Sequence, residues 1–131
     1  MNVRSKLPLA VIADDYPAVL NKVSDIVAGK LSIVARVHDG AASVRAVTQY
    51  NPDILVIDVV MPHLNGIEAA REIRSRGLGC RIIFLSIQED PEYVRAAQEI
   101  GASYVLKKKM NTDLISALQD ELNGSHFFSS L

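Results

Sequence analysis

Ile54-Leu55-Val56-Ile57 is an apolar run without polar alternation, and it ends in a carboxylate, Asp58. A strand with one wet face alternates apolar and polar residues, whereas an unbroken apolar run is buried on both faces. The run therefore predicts a central strand of a parallel sheet with helices on either side. Val59-Val60-Met61-Pro62 and Asn65-Gly66 follow with loop chemistry, so Asp58 stands where the strand runs out. An ionised carboxylate there needs a cation, a hydrogen-bond donor or water, because burying it bare is strongly unfavourable.

The rest of the chain repeats this alternation of strand and helix. Leu9–Ala13 reads as a first buried strand. Pro17 then suits a first helical position, where its fixed φ and missing N–H are tolerated. Val19, Leu20, Val23, Ile26 and Val27 follow at helical spacing up to Gly29. Residues 31–37 predict a second strand, and a short helix runs from Gly40 to just before Asn51-Pro52. Asn65 is expected to cap a helix carrying Ile67, Ala70 and Ile73, which Gly77 and Gly79 end. Arg81–Ser86 is a fourth buried strand. Asp90-Pro91-Glu92 opens a helix with a thin apolar face at Val94, Ala96, Ala97 and Ile100. Tyr104-Val105-Leu106 is a fifth strand. Asn111 is expected to cap a last helix with a stripe at Leu114, Ile115, Leu118 and Leu122. Strands alternating with helices predict an α/β doubly wound domain whose crossovers are right-handed.

The totals narrow the function classes. A chain of 131 residues is long enough for one core, and the expected domain is residues 1–122, with 123–131 a tail or the start of a linker. A net charge of −1 gives no electrostatic footprint for direct nucleic-acid binding. The single cysteine, Cys80, has no partner for an internal disulfide and reads as a small residue leading into a strand, which fits a cytoplasmic setting. Arg4 and Lys6 before an apolar run resemble an export signal, but the run contains Pro8 and stops at Asp14-Asp15 without a small-residue cleavage site. No stretch is long and apolar enough to predict a membrane span.

In an open α/β sheet, ligands bind beyond the carboxyl ends of the strands, where the strand order reverses. Those ends here carry Asp14-Asp15, Asp58, Ser86 and Lys107. His38-Asp39 ends the second strand, which as an outer strand lies away from the rest. A single Asp after a strand is ordinarily a cap or turn residue, but three carboxylates, a hydroxyl and an ammonium on one rim are not explained that way. Like charges about 4 Å apart repel by roughly 4 kcal/mol at an effective dielectric near 20, so the acids call for a cation. An all-oxygen set with room for water suits Mg²⁺. A carboxylate beside such an ion can accept phosphorus as an acyl phosphate.

Asp14-Asp15-x-Pro17, Asp58-x-x-Met61-Pro62-x-x-x-Gly66, Leu85-Ser86 and Gly101-Ala102-Ser103-Tyr104-Val105-Leu106-Lys107 together resemble a receiver (CheY-like) domain of a bacterial two-component response regulator. The resemblance covers roughly residues 7–122 and implies a flavodoxin-like five-stranded parallel sheet of order 2-1-3-4-5. It implies that Asp58 is the phosphoacceptor, that Asp15, Asp58 and the Val60 backbone carbonyl ligate Mg²⁺ directly with Asp14 acting mainly through water, and that Ser86 and Lys107 contact the phosphoryl group. Tyr104 is implied to turn inward when Ser86 closes on the phosphate. Two departures are visible: the family's usual extra residue before Tyr104 is missing, and Lys108 stands where proline often follows the lysine.

Asp14-Asp15-Tyr16-Pro17 and Gly124-Ser125-His126-Phe127-Phe128-Ser129 resemble the NarL/LuxR subgroup, whose receivers precede a helix-turn-helix that residues 1–131 do not include. The alternative for the tail is a segment folded back on a stand-alone receiver. The implied partners are a sensor histidine kinase, a second copy on phosphorylation, and DNA only through that output domain. The rival from another class is a Mg²⁺-dependent phosphohydrolase using an aspartyl phosphate. Such enzymes place a second acid two residues after the nucleophile, where this chain has Val60. A flavin-binding domain on the same sheet is disfavoured by acids where phosphate-cradling donors are needed.

Overall fold

A computed structural model describes residues 6–130. Arg4 of the export-like stretch, the first five residues of the expected domain and Leu131 lie outside the described residues. The elements run β1 (Leu9–Ala13), α1 (Pro17–Val27), β2 (Ser32–Val37), α2 (Gly40–Tyr50), β3 (Ile54–Asp58), α3 (Gly66–Ser75), β4 (Arg81–Ser86), α4 (Pro91–Ile100), β5 (Ser103–Leu106) and α5 (Met110–Leu122). All strand pairs are parallel, in the order β2-β1-β3-β4-β5. This is the doubly wound sheet that the apolar runs predict.

β3 is central, and each of its residues is buried. Its two faces feed two halves of the core. Leu55 and Ile57 pack with α2, α3 and α4 through Val47, Ile67, Ile73 and Ala97. Ile54 and Val56 pack with α1 and α5 through Leu20, Val23, Leu114 and Leu118. The outer strand β2 is only half-buried.

Local capping positions the loops. Asn65 and Glu68 form a reciprocal capping box, each side chain accepting from the other's main-chain N–H. Asp90 accepts from Glu92 N, and Asp39 accepts from Ala42 N, which accounts for the acid at the end of the second strand.

Two expectations at the last helix are corrected. Asn111 does not cap α5: Lys107–Lys109 form a 3₁₀ turn that runs straight into the helix, so Lys109 holds the cap position and Asn111 falls in the first turn. The buried stripe of α5 ends at Glu121, not Leu122. Leu122 is exposed, while Glu121 falls seven residues after Leu114 and is buried. All peptide bonds among the described residues are trans, the one between Lys107 and Lys108 included.

Residues 126–130 lie along the open edge of β5. Tyr104 N donates to Phe127 O and Ser129 N donates to Tyr104 O, both at 2.8 Å. Tyr104 and Phe128 form an isolated parallel bridge.

Candidate functional site

The carboxyl ends of β1, β3, β4 and β5 bring the predicted residues together, because parallel strands in register deliver their ends to one rim. Asp14, Asp15 and Asp58 each offer an oxygen, and these oxygens all lie within 4.8 Å of one another. Asp14 and Asp58 are buried, and Asp15 is partly buried. Lys107 Nζ lies 2.8 Å from Asp14 Oδ2 and 3.2 Å from Asp58 Oδ2. Asp14 Oδ1 also accepts from Tyr16 N. The ammonium lies 5.8 Å from the centre of the Tyr16 ring, close enough for a weak cation–π attraction.

The electrostatics follow from this crowding. Burial and then the neighbouring Asp14 charge raise the Asp58 pKa from 3.8 to about 6, against the lowering effect of Lys107. For Lys107, burial favours the neutral amine, but the hydrogen bond to Asp14 and the charges of Asp58 and Asp14 outweigh it and raise the pKa. Asp15 Oδ1 is buried and has no hydrogen-bond donor among the described residues. Three hard oxygen ligands, one of them unpartnered, fit a divalent cation of the Mg²⁺ type. Lys107 neutralises only part of the charge.

The site opens through a cleft of about 230 Å³ lined by Asp15, Tyr16, Val19, Asp58, Val60, Ile87 and Lys107. A larger groove of about 840 Å³ lies at the opposite end of the sheet, among Leu7, Pro8, Leu9, Ser32, Asp53 and Leu122. It is mostly apolar, and with only Lys6 and Asp53 as charged lining residues it gathers no set of charges comparable to that of the smaller cleft. The loop after Asp58 is held tightly. A Cβ on Gly66 would overlap the Asp58 carbonyl oxygen, and Gly66 N donates to Val59 O at 2.8 Å. The Val60 side chain is exposed, and its N–H makes a long 3.4 Å contact to Asp58 Oδ1.

Ser86 is buried at the end of β4, and its Oγ accepts from Gln88 N at 2.9 Å. The Tyr104 ring is buried, and its hydroxyl donates to Gln88 O at 2.7 Å. Burial, as the largest cause, pushes its pKa up. Cys80 is buried away from the rim, and that burial likewise raises its thiol pKa.

A second polar cluster, at the opposite end of the sheet, escaped the sequence reading. The fully buried Glu121 side chain accepts from Arg81 Nε at 3.0 Å, from the Ser103 hydroxyl, and meets His126 Nδ1 at 2.7 Å. The available signal was a charged residue on the apolar stripe of α5.

Comparison with known proteins agrees with this fold. The family described as "Response regulator receiver domain" matches residues 10–119. The transcriptional regulatory protein DegU of Brevibacillus brevis is 36% identical over 120 residues, which cover 89% of this chain and 51% of DegU. The DNA-binding transcriptional activator EvgA of Escherichia coli (strain K12) is 31% identical over 121 residues, covering 91% of this chain and 59% of EvgA. This chain thus spans between about half and three-fifths of the length of these curated relatives. The solved signal receiver domain of the response regulator NarL from Mycobacterium tuberculosis superposes with a TM-score of 0.86 at 28% identity, covering 92% of this chain and 99% of that one. No helix among the described residues is long and apolar enough to cross a membrane. With three acids and a lysine on the rim of a 2-1-3-4-5 sheet, this chain belongs to the response regulator receiver domain family, on its NarL/LuxR-type branch.

Proposed function

We propose that the domain is a phosphorylation-controlled switch of a cytoplasmic two-component system, with Asp58 as the phosphoacceptor and a sensor histidine kinase as the donor. The observation that carries this reading is the placement of Asp58 within reach of two further acids and one ammonium, at the mouth of an open cleft. One Asp58 carboxylate oxygen attacks phosphorus, the P–N bond to the donor histidine breaks, and the imidazole nitrogen leaves with the electron pair. Asp15, Asp58 and the Val60 carbonyl would hold Mg²⁺, with Asp14 in support. The ion, when bound, neutralises charge on the phosphoryl oxygens.

The remaining steps belong to the chain's own side chains. Lys107 pairs with one phosphoryl oxygen, which its position between Asp14 and Asp58 allows. Ser86 donates its hydroxyl proton to a second oxygen while its Oγ goes on accepting from Gln88 N. Tyr104 responds to that contact through Gln88. The surface made by α4, β5 and α5 then changes its population between two states, and the output is dimerisation and control of transcription through a DNA-binding domain outside this chain. The apolar, exposed Val60 stands where a phosphohydrolase of this chemistry carries its proton-donating acid, so turnover of external phosphoesters is not part of the reading.

Intact-mass analysis after incubation with acetyl phosphate and Mg²⁺ tests it. The wild type gains one phosphoryl group and Asp58→Asn gains none. Unmodified protein with steady hydrolysis of a generic phosphoester would instead favour the hydrolase.

A further inference from the structure

Residues 126–130 are fastened to β5 in a way the phosphoryl chemistry does not require. Both edge-facing main-chain groups of Tyr104 are taken, its N–H by Phe127 O and its carbonyl by Ser129 N. Phe127 N donates to Ser103 Oγ at 2.9 Å, Leu106 N donates to Ser129 Oγ at 3.0 Å, and Ser129 Oγ donates to Asp113 at 2.7 Å. Phe127 packs on the α1–α5 half of the core and Phe128 on the half shared by α2, α3 and α4. Consecutive residues of a strand point to opposite faces, so the two phenylalanines behave as one more edge strand would require. The segment closes an edge that would otherwise offer unpaired backbone groups.

The same segment connects to the phosphoryl rim. Ser86 Oγ accepts from Gln88 N, and Gln88 O accepts from the Tyr104 hydroxyl. Tyr104 in turn is bound on both main-chain groups by the tail. Phe128 lies in the same half of the core as the Tyr104 ring and bridges to Tyr104 from the open side of the sheet. A ring swung outward to that edge would meet the tail, so a docked tail and a buried ring support each other.

The geometry points to residues 126–130 acting as a strap that holds the Tyr104 ring buried and couples the β5 edge to phosphoryl occupancy at Asp58. This rests on the phosphoacceptor reading and adds to it the segment that senses the switch. Because the coupling is reciprocal, loading Asp58 tightens the strap, and loosening the strap weakens loading. The strap gains a handful of hydrogen bonds against the entropy of ordering a few residues, two quantities of similar size, so its docking is open to such a bias.

Hydrogen exchange on the full chain tests this, with beryllofluoride and Mg²⁺ as the phosphoryl mimic. Loading is expected to slow exchange of the Phe127 and Ser129 amides by about fivefold or more, the lower end of measured couplings. Phe128→Ala is expected to weaken beryllofluoride binding, followed by fluorine NMR, by a similar factor. Loading of the wild type with unchanged exchange at both amides overturns the coupling alone, and that arm needs no variant to fold. Failure of the wild type to load overturns the phosphoacceptor reading and the coupling with it.

Discussion

Lys107 Nζ stands 2.8 Å from Asp14 Oδ2, nearer than the 3.2 Å that separates it from Asp58. The ammonium is therefore anchored mainly by the acid at the end of β1, and it leans on Asp58 without saturating it. Asp58 keeps lone pairs for other chemistry while its charge is partly offset.

That arrangement makes Lys107 a structural counter-ion, in addition to the phosphoryl contact proposed for it. Its side chain is 13% exposed and that of Asp14 is 1% exposed. Removing one partner of a buried pair leaves an uncompensated charge and costs about 3–5 kcal/mol. Lys107→Ala is expected to lose stability of this order in urea unfolding at neutral pH without divalent cations. A loss below about 1 kcal/mol would mean that water, not Lys107, neutralises the acids.

Asp58 runs the other way. Its pKa is raised from 3.8 to about 6, so the folded state binds the proton more readily than the unfolded state. Its contribution is favourable below about pH 4, and that stability is lost as pH rises through about 6. Asp58→Asn, which cannot ionise, should be more stable than wild type at pH 7 in metal-free buffer by up to about 3 kcal/mol. The two proteins should converge near pH 4. Equal stability at both pH values would remove the claim that an ionised Asp58 strains the fold.

Much of this site was legible in the sequence because its causes are local. Asn65 with Glu68, and Asp90 with Pro91, announce their helix starts within four residues, and Asp58 follows a run too apolar for any place but the centre. Parallel strands then bring distant ends to one rim by topology alone. Asn111 misled because a 3₁₀ turn of lysines, which has no strong sequence mark, supplied the start of α5. Glu121 was missed because a charged helix residue is ordinarily solvated, and its partners Arg81, Ser103 and His126 come from three other parts of the chain. Pairing of the tail with an open sheet edge is likewise non-local. Two phenylalanines in a polar stretch hinted that it packs somewhere, but not where.

Asp15 separates metal binding from folding. Its Oδ1 is buried with no donor among the described residues, so the metal-free protein draws no hydrogen bond from it, while the proposed cation would draw a ligand. Mg²⁺ at about 100 times its dissociation constant should stabilise the wild type by roughly 2.7 kcal/mol. Asp15→Asn should lose most of that increment while unfolding in EDTA no more easily than wild type, because it removes one of three crowded like charges and no protein hydrogen bond. An unchanged Mg²⁺ increment in a thermal-shift titration would place the cation elsewhere.

Glu121 fastens the far end of the sheet. Its carboxylate is fully buried and joins the first residue of β4, the first residue of β5 and the tail, through Arg81, Ser103 and His126. Arg81 and His126 are partly exposed, so water can replace Glu121 for them at little cost. Ser103 is fully buried, and without the carboxylate its hydroxyl loses an acceptor while still bound by Phe127 N. An unsatisfied buried group costs about 1–3 kcal/mol, and truncating the side chain adds a cavity. Glu121→Ala should therefore lose about 3 kcal/mol in urea unfolding, and Arg81→Ala less, because the buried carboxylate it leaves behind is still bound by Ser103 and His126. The ordering is the decisive result. If Arg81→Ala were the more damaging change, the pair with Arg81 would hold this end together, and Ser103 would be incidental to it.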